Sequence, residues 1–271
     1  MTATATITTS WDDGHPLDFR VAALLAKYGL RGTFYVPMTA PTGTMRAEQV
    51  RELSCSFEIG AHTVHHVDLT AATEQKARQE IFDSKAWLED STGLPCSMFC
   101  PPRGRYSVRH LELIRQAGFL GVRSVELLSL DYPRFQAGLL VVPTTIQAHP
   151  HGLAAYAKNT TKRWAWRNLW LYVCHGRRVD WSKLVRSLLP HALQRGGVFH
   201  LWGHSWELEE TGQWQRLEEV LRFLSQFTGQ APALSNAQVC LDVRARSVSE
   251  EPHLSSLTHR ARTSALRGSG P

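Results

Sequence analysis

Apolar and polar positions along the first hundred or so residues switch repeatedly between the strand period and the helix period. Ala5-Thr6-Ile7-Thr8-Thr9-Ser10-Trp11 is β-branched and reads as a strand. Pro16 opens a helix with Leu17, Val21, Leu24, Leu25 and Tyr28 at helical spacing, and Gly29 ends it. Thr33-Phe34-Tyr35-Val36 is a second strand, stopped by Pro37. This order predicts a βαβ unit and a parallel sheet. Met45 to Leu53 reads as a short helix and Phe57 to Ala61 as a third strand. Glu74 to Thr92 is a long amphipathic helix with Ala77, Ile81, Trp87 and Leu88 on its apolar side. Ser97 to Cys100 is a fourth strand, a helix spans Ser107 to Gln116, and Phe119 to Val122 is a fifth strand.

The second half is less regular. Arg123 to Pro150 is poorly periodic and is expected on a loop-rich face near the site, with His149-Pro150-His151 in it. Gly152 to His175 reads as helical, and Trp164, Trp166 and Trp170 within it as core. Trp181 to Gln194 is a further helix, Val198 to Trp202 a strand, Gln213 to Phe227 a helix and Val239-Cys240-Leu241 a last short strand. Strands alternating with helices over about 240 residues predict one α/β barrel-like domain. We place that domain at residues 1–243, followed by a disordered tail at 244–271 rich in Ser, Arg, Gly and Pro.

Composition narrows this picture. A chain of 271 residues, 43% apolar and 20% charged, buries a sizeable core without staples. Five cysteines at irregular spacings, with no CxxC, argue against a disulfide framework and a cysteine zinc site. The net charge is +6, and the tail's five arginines against two glutamates hold +3 of it, so no nucleic-acid partner is expected. The N-terminus shows no leader pattern and no apolar run reaches the roughly 18 residues of a membrane span. The expectation is a soluble cytoplasmic protein.

Two stretches carry the chemistry: Ser10-Trp11-Asp12-Asp13-Gly14 and Gly60-Ala61-His62-Thr63-Val64-His65-His66. Each follows a predicted strand. One supplies adjacent carboxylates, the other two imidazoles four positions apart, and such oxygen and nitrogen ligands suit a divalent cation with an open position for water. On a helical turn His62 and His66 would share a face and His65 would point elsewhere. Taken alone, the first stretch also reads as an Asp-Gly turn and the second as surface histidines. A third strand end carries Gly203-His204-Ser205-Trp206-Glu207. His204 follows the strand and reads as functional, whereas His200 lies inside it and reads as a core histidine.

In this order the motifs resemble those of the polysaccharide deacetylases (carbohydrate esterase family 4, chitooligosaccharide-deacetylase-like). Ser-Trp-Asp-Asp-Gly is similar to that family's Thr-Phe-Asp-Asp-Gly, and His62 to His66 matches its His-Ser/Thr-x-x-His. Phe99-Cys100-Pro101-Pro102-Arg103-Gly104 looks like a degraded Arg-Pro-Pro-Tyr-Gly, and Val198 to His204 looks like its late strand ending in a catalytic histidine. The resemblance implies a distorted (β/α) barrel of about seven parallel strands. It implies one divalent metal, zinc first and cobalt or manganese as alternatives, held by Asp13, His62 and His66. Asp12 would be the general base and His204 the general acid, with His200 the second candidate.

Two departures follow. The family's Arg falls on Cys100 and its Tyr on Arg103, so Arg103 or Arg105 is expected to reach the base carboxylate. Arg103 or Gly104 is expected to supply an oxyanion N–H, since Pro102 has none. Trp11 replaces a Phe, and Trp202 joins the candidates for substrate contact. The implied activity is metal-dependent removal of an N-acyl group, N-acetyl first, from an amino sugar or glycan-like substrate. Two alternatives stand beside it: a deformylase or other amidohydrolase on a non-glycan amide, and a catalytically silent barrel that acts as a binding module.

Overall fold

A computed structural model describes residues 4–151, 170 and 180–247. Its strands are β1 (Ala5–Asp12), β2 (Thr33–Val36), β3 (Glu58–Ala61), β4 (Met98–Phe99), β5 (Gly121–Arg123), β6 (Arg134–Gln136), β7 (Leu139–Val142), β8 (Ile146–Gln147) and β9 (Gly197–His204). Among the described residues they form one sheet in the order β6-β7-β5-β4-β3-β2-β1-β9-β8, parallel throughout except for β6 against β7. The sheet curls into a half-barrel with β6 and β8 as its edges. The helices are α1 (Asp18–Lys27), α2 (Ala47–Ser54), α3 (Glu74–Thr92), α4 (Val108–Gln116), α5 (Trp181–Arg195), α6 (Ser205–Glu210), α7 (Trp214–Ser225) and α8 (236–247).

β1 lies inside the sheet, and all eight of its residues are buried. That is why it reads as a continuous β-branched run rather than an alternation. Its polar side chains are bonded: Thr9 Oγ1 donates to Arg31 O at 3.0 Å, and Thr8 Oγ1 accepts from Asn236 at 2.9 Å. The register sets Asp12 opposite Tyr35 on β2 and His204 on β9. The C-terminal ends of the strands therefore share one rim, where parallel α/β sheets display chemistry.

Three expectations need correction. The stretch 123–150 holds three short strands besides its loops. Leu139-Leu140-Val141-Val142 is buried throughout, so there was no polar alternation for a period to reveal. Residues 239–241 are helical, part of α8, and Cys240 Sγ packs 3.9 Å from Met98 Sδ. α8 continues to residue 247, past the predicted domain end at 243, while 248–271 lie outside the described residues. The helix predicted over 152–175 also lies outside them, except for the helical Trp170. Among the described residues no helix is long and apolar enough to cross a membrane.

Candidate metal and catalytic site

Tight backbone builds the rim. Asp13 (φ 76°) and Gly14 (φ 61°) both turn left-handed directly after β1. Gly14 admits no side chain, because a Cβ there would lie 2.6 Å from Val36 Cγ1. Among the described residues six non-glycines have positive φ, and four of them, Asp13, Thr63, His66 and Arg103, stand at this site. Strained backbone of this kind collects where function holds it.

His62 and His66 do come together, but not on a helix. Residues 62–68 follow β3 as irregular chain, with left-handed Thr63 (φ 63°) and His66 (φ 51°). A buried carboxylate on α3 fastens this loop. Glu80 accepts from Val64 N and His65 N at 2.9 Å each, and it pairs with His65 Nδ1 at 2.7 Å and Lys76 Nζ at 2.9 Å. His65 is thus turned away from the rim, as its spacing suggested. Burial pushes the Glu80 carboxyl up, but these donors outweigh it and hold it below its ordinary value.

Asp13 Oδ1 lies 3.1 Å from His66 Nε2 and 3.5 Å from His62 Nε2. These separations bracket the roughly 3.3 Å edge of a tetrahedron with ligands at about 2.0–2.1 Å. Asp13 Oδ1 is buried and accepts no hydrogen bond. His62 Nδ1 stands 2.6 Å from the Cys100 carbonyl, which only accepts, so the ring proton sits there and Nε2 keeps its lone pair. An orphaned carboxylate oxygen facing imidazole nitrogens is a donor set that fits a divalent cation, and the three ligands form one compact group. Burial pushes the Asp13 carboxyl up, yet the two imidazoles and His204 outweigh it and leave it well below the ordinary range. The other Asp13 oxygen accepts from Trp206 Nε1 at 2.9 Å.

Asp12 has a different partner. Arg123, fully buried at the end of β5, donates from Nη2 to Asp12 Oδ1. Its guanidinium lies over the rings of Trp202 (4.7 Å) and Tyr35 (5.3 Å). Burial raises the Asp12 carboxyl, but Arg123, then His62 and His204, bring it below its usual value. This corrects the expectation for Arg103 and Arg105. Arg103 is exposed, and Arg105 pairs with Asp68 at 2.9 Å in a neighbouring trough. Phe99 lies opposite Val122, so Cys100 and Arg123 follow on adjacent strand ends, and the cation stands one strand over from the place the motif suggested.

His204 faces the carboxylates from β9. Its Nε2 is 4.0 Å from Asp12 Oδ2 and 3.9 Å from Asp13 Oδ2, while Nδ1 lies 2.7 Å from Glu207 Oε2. Burial lowers its pKa, but the Glu207 bond and the charge of Asp12 prevail and raise it to about 9. Gln147 donates to the same Glu207 oxygen at 2.9 Å and meets His151 Nε2 at 2.7 Å. His200 is fully buried inside the strand. Both its nitrogens are used, by Ser10 Oγ and Pro143 O at 2.9 Å each, and burial followed by Arg123 lowers its pKa to about 3. It is a bonded core histidine.

Asp12, Asp13, His62, His66 and His204 line one cavity of about 370 Å³, whose wall also includes Arg103, Gly104, Val125, Leu127, Gln147, His151, Trp202 and Trp206. Trp11 is not among them. It is fully buried, and its indole N–H donates to Thr9 Oγ1 at 3.3 Å. Sequence reasoning gave no role to Arg123, Glu207, Trp206, Gln147 or Glu80. Arg123 closes an apolar strand as Asp12 does, and Glu80 falls on the apolar side of its helix between Ala77 and Ile81; both were readable signals.

Residues 2–122 match the family model "Polysaccharide deacetylase". The Bacillus subtilis protein YxkH, named for the same family, is 25% identical over 114 residues, a span of 41% of this chain and 41% of that one. A crystal structure from Mycobacterium smegmatis, also named for these deacetylases, superposes with a TM-score of 0.68 at 17% identity over 91% of this chain and 92% of that one. A structure from Bacillus anthracis described as a family-4 pseudoenzyme gives 0.53 at 10% identity, over 89% and 66%. These structural likenesses concern the fold.

Proposed function

The chain belongs to the polysaccharide deacetylase family, and from that premise we propose that it is a metal-dependent hydrolase removing an N-acetyl group from an amino sugar within a glycan. One observation carries the reading. Asp12 and Asp13 are neighbours in sequence and both are buried, yet Asp12 is committed to Arg123 while Asp13 turns a free oxygen to His62 and His66. Two carboxylates with separate environments are fitted to separate tasks.

In this reading Asp13, His62 and His66 hold the cation. When bound, it supplies Lewis acidity for the amide carbonyl and for water. Asp12, kept ionised by Arg123, accepts the proton of the attacking water. The Gly104 N–H already donates to Pro101 O at 2.9 Å and Pro102 has none, so the Arg103 N–H is the donor for the developing oxyanion. His204, protonated at neutral pH against Glu207, gives its proton to the leaving amine. Val125, Leu127 and Trp202 offer the acyl group an apolar wall.

A silent binding role is the second reading, since the Bacillus anthracis relative is a pseudoenzyme and Cys100 stands where the motif has Arg. Arg123 weakens that argument by supplying the cation from β5. The test is acetate release from N-acetylated sugar oligomers by zinc- or cobalt-loaded protein, beside D12N and D13A. Release by the wild type alone supports the proposal. Turnover of formamides or cyclic amides instead moves the substrate off glycans, and no turnover of any of these leaves the silent reading.

A further inference from the structure

We propose that Trp206 is a positioning residue for the cation: its indole N–H takes up one oxygen of Asp13, so that the carboxylate presents the other alone towards His62 and His66. The inference rests on the metal-site reading above and adds a residue to it. Trp206 is the second residue of α6, two positions beyond the end of β9, and reaches back to the residue after β1. Its Nε1 donates to Asp13 Oδ2 at 2.9 Å. The remaining oxygen, Oδ1, is the orphan atom lying 3.1 Å and 3.5 Å from the two imidazoles.

The indole also packs against the acid side of the site. Its ring centroid is 5.5 Å from that of His204, tilted by 40°. One side chain therefore bridges the strand end that carries Asp13 and the strand end that carries His204. A neutral donor suits this position. Lys or Arg would bind the same oxygen but would place a positive charge beside a dication, whereas an indole occupies one lone pair without repelling the ion. The other tryptophan in the cavity wall makes the contrast: Trp202 Nε1 is buried without a hydrogen-bond partner, and its ring is spent on the Arg123 guanidinium.

With the indole N–H gone, Asp13 Oδ2 is free to swing to the metal, and the carboxylate is no longer held to one oxygen. Partners of metal ligands commonly govern affinity by about 10–100-fold. The experiment is zinc competition against a chromophoric chelator, with wild type, W206F and W214F. Trp214 sits on α7, where its indole donates to Glu209 rather than to any residue of the site. W206F is expected to bind zinc at least about tenfold more weakly, and W214F like wild type. The cobalt form gives a second readout: the visible bands of W206F should weaken as the carboxylate adds a second oxygen and the coordination number rises. If W206F does not fold, replacement of the indole by its benzothiophene isostere removes only the N–H. Equal zinc affinity with an unchanged cobalt spectrum overturns the role of Trp206 and leaves the metal site standing. Absence of zinc binding in the wild type overturns both.

Discussion

Arg123 and Asp12, 111 residues apart, meet as a buried ion pair at the ends of β5 and β1, with the guanidinium donating to the carboxylate. Burying two charges is costly, and the pair is worth keeping only because each satisfies the other. R123M leaves the Asp12 charge buried and uncompensated, which should destabilise the fold by about 3–5 kcal/mol. R123K keeps the charge but loses the planar fork and its stacking on Trp202 and Tyr35. It should fold, bind zinc like wild type, and lose on the order of 100-fold in kcat through misplacement of the base. Urea melts, zinc titration and turnover separate these effects. Normal turnover in R123K would mean that Asp12 needs no such orientation.

Glu80 makes the second prediction. It touches neither cavity nor metal ligand directly, yet it gathers Val64 N, His65 N, His65 Nδ1 and Lys76 Nζ. E80A orphans the two backbone donors, each costing about 1–3 kcal/mol if it stays buried. The loop between His62 and His66 should loosen, so zinc affinity should fall together with the melting temperature. A melting temperature that falls while zinc affinity holds would show that left-handed Thr63 and His66 alone fix the two imidazoles.

How much of this was readable follows from what the residues do locally. Asp12, Asp13, His62 and His204 end or directly follow apolar runs, so the strand ends and their chemistry could be located together. The adjacency of His62 and His66 was expected, but for a helical reason, and the loop reaches it with two positive φ angles that no apolar period encodes. Arg123 ends an apolar run as Asp12 does, which marks the position, but its partner lies 111 residues away and only the folded sheet shows which carboxylate the cation meets. β7 was missed because both its faces are covered, leaving a four-residue apolar run without a period. Trp206 and Glu207 stand in a motif that was noticed; the Glu207 bond to His204 is local, three positions apart, whereas the Trp206 bond to Asp13 exists only once β9 lies beside β1.

The acid side answers to pH. Burial acts against the His204 charge, yet Glu207 and Asp12 carry its pKa up to about 9. A folded-state value above the unfolded value of about 6.5 means stabilisation that is complete below about pH 6.5 and lost as pH rises through the folded value. E207Q removes the carboxylate. In metal-free protein it should therefore lower stability most below about pH 6.5 and little above pH 9. In loaded protein the basic limb of the kcat profile should move to lower pH, with losses of up to about 100-fold at alkaline pH. Thermal melts and pH–rate profiles read the two effects. A basic limb that stays in place would take His204 out of the proton-donor role.

Asp18 stands in the first turn of α1, fully buried, with neither carboxylate oxygen accepting a hydrogen bond. The helix N-terminus favours its charge by about 0.3–1 kcal/mol. Burial opposes it more strongly, and the nearby charges of Asp13 and Asp12 add to burial, so its pKa lies well above the ordinary range. The sign follows directly. The folded state holds this proton, whereas the unfolded chain releases it above about pH 3.9. The contribution is fully favourable below that pH and is lost as pH rises through the folded value, at about 1.4 kcal/mol per unit of elevation. Asparagine has nearly the same shape and no charge to lose. D18N should match the wild type near pH 3.5 and surpass it progressively towards neutral pH, as urea unfolding across that range would show. Parallel curves from pH 4 to 8 would mean that Asp18 is ionised in the fold, and that a cation or solvent reaches it behind the metal ligands.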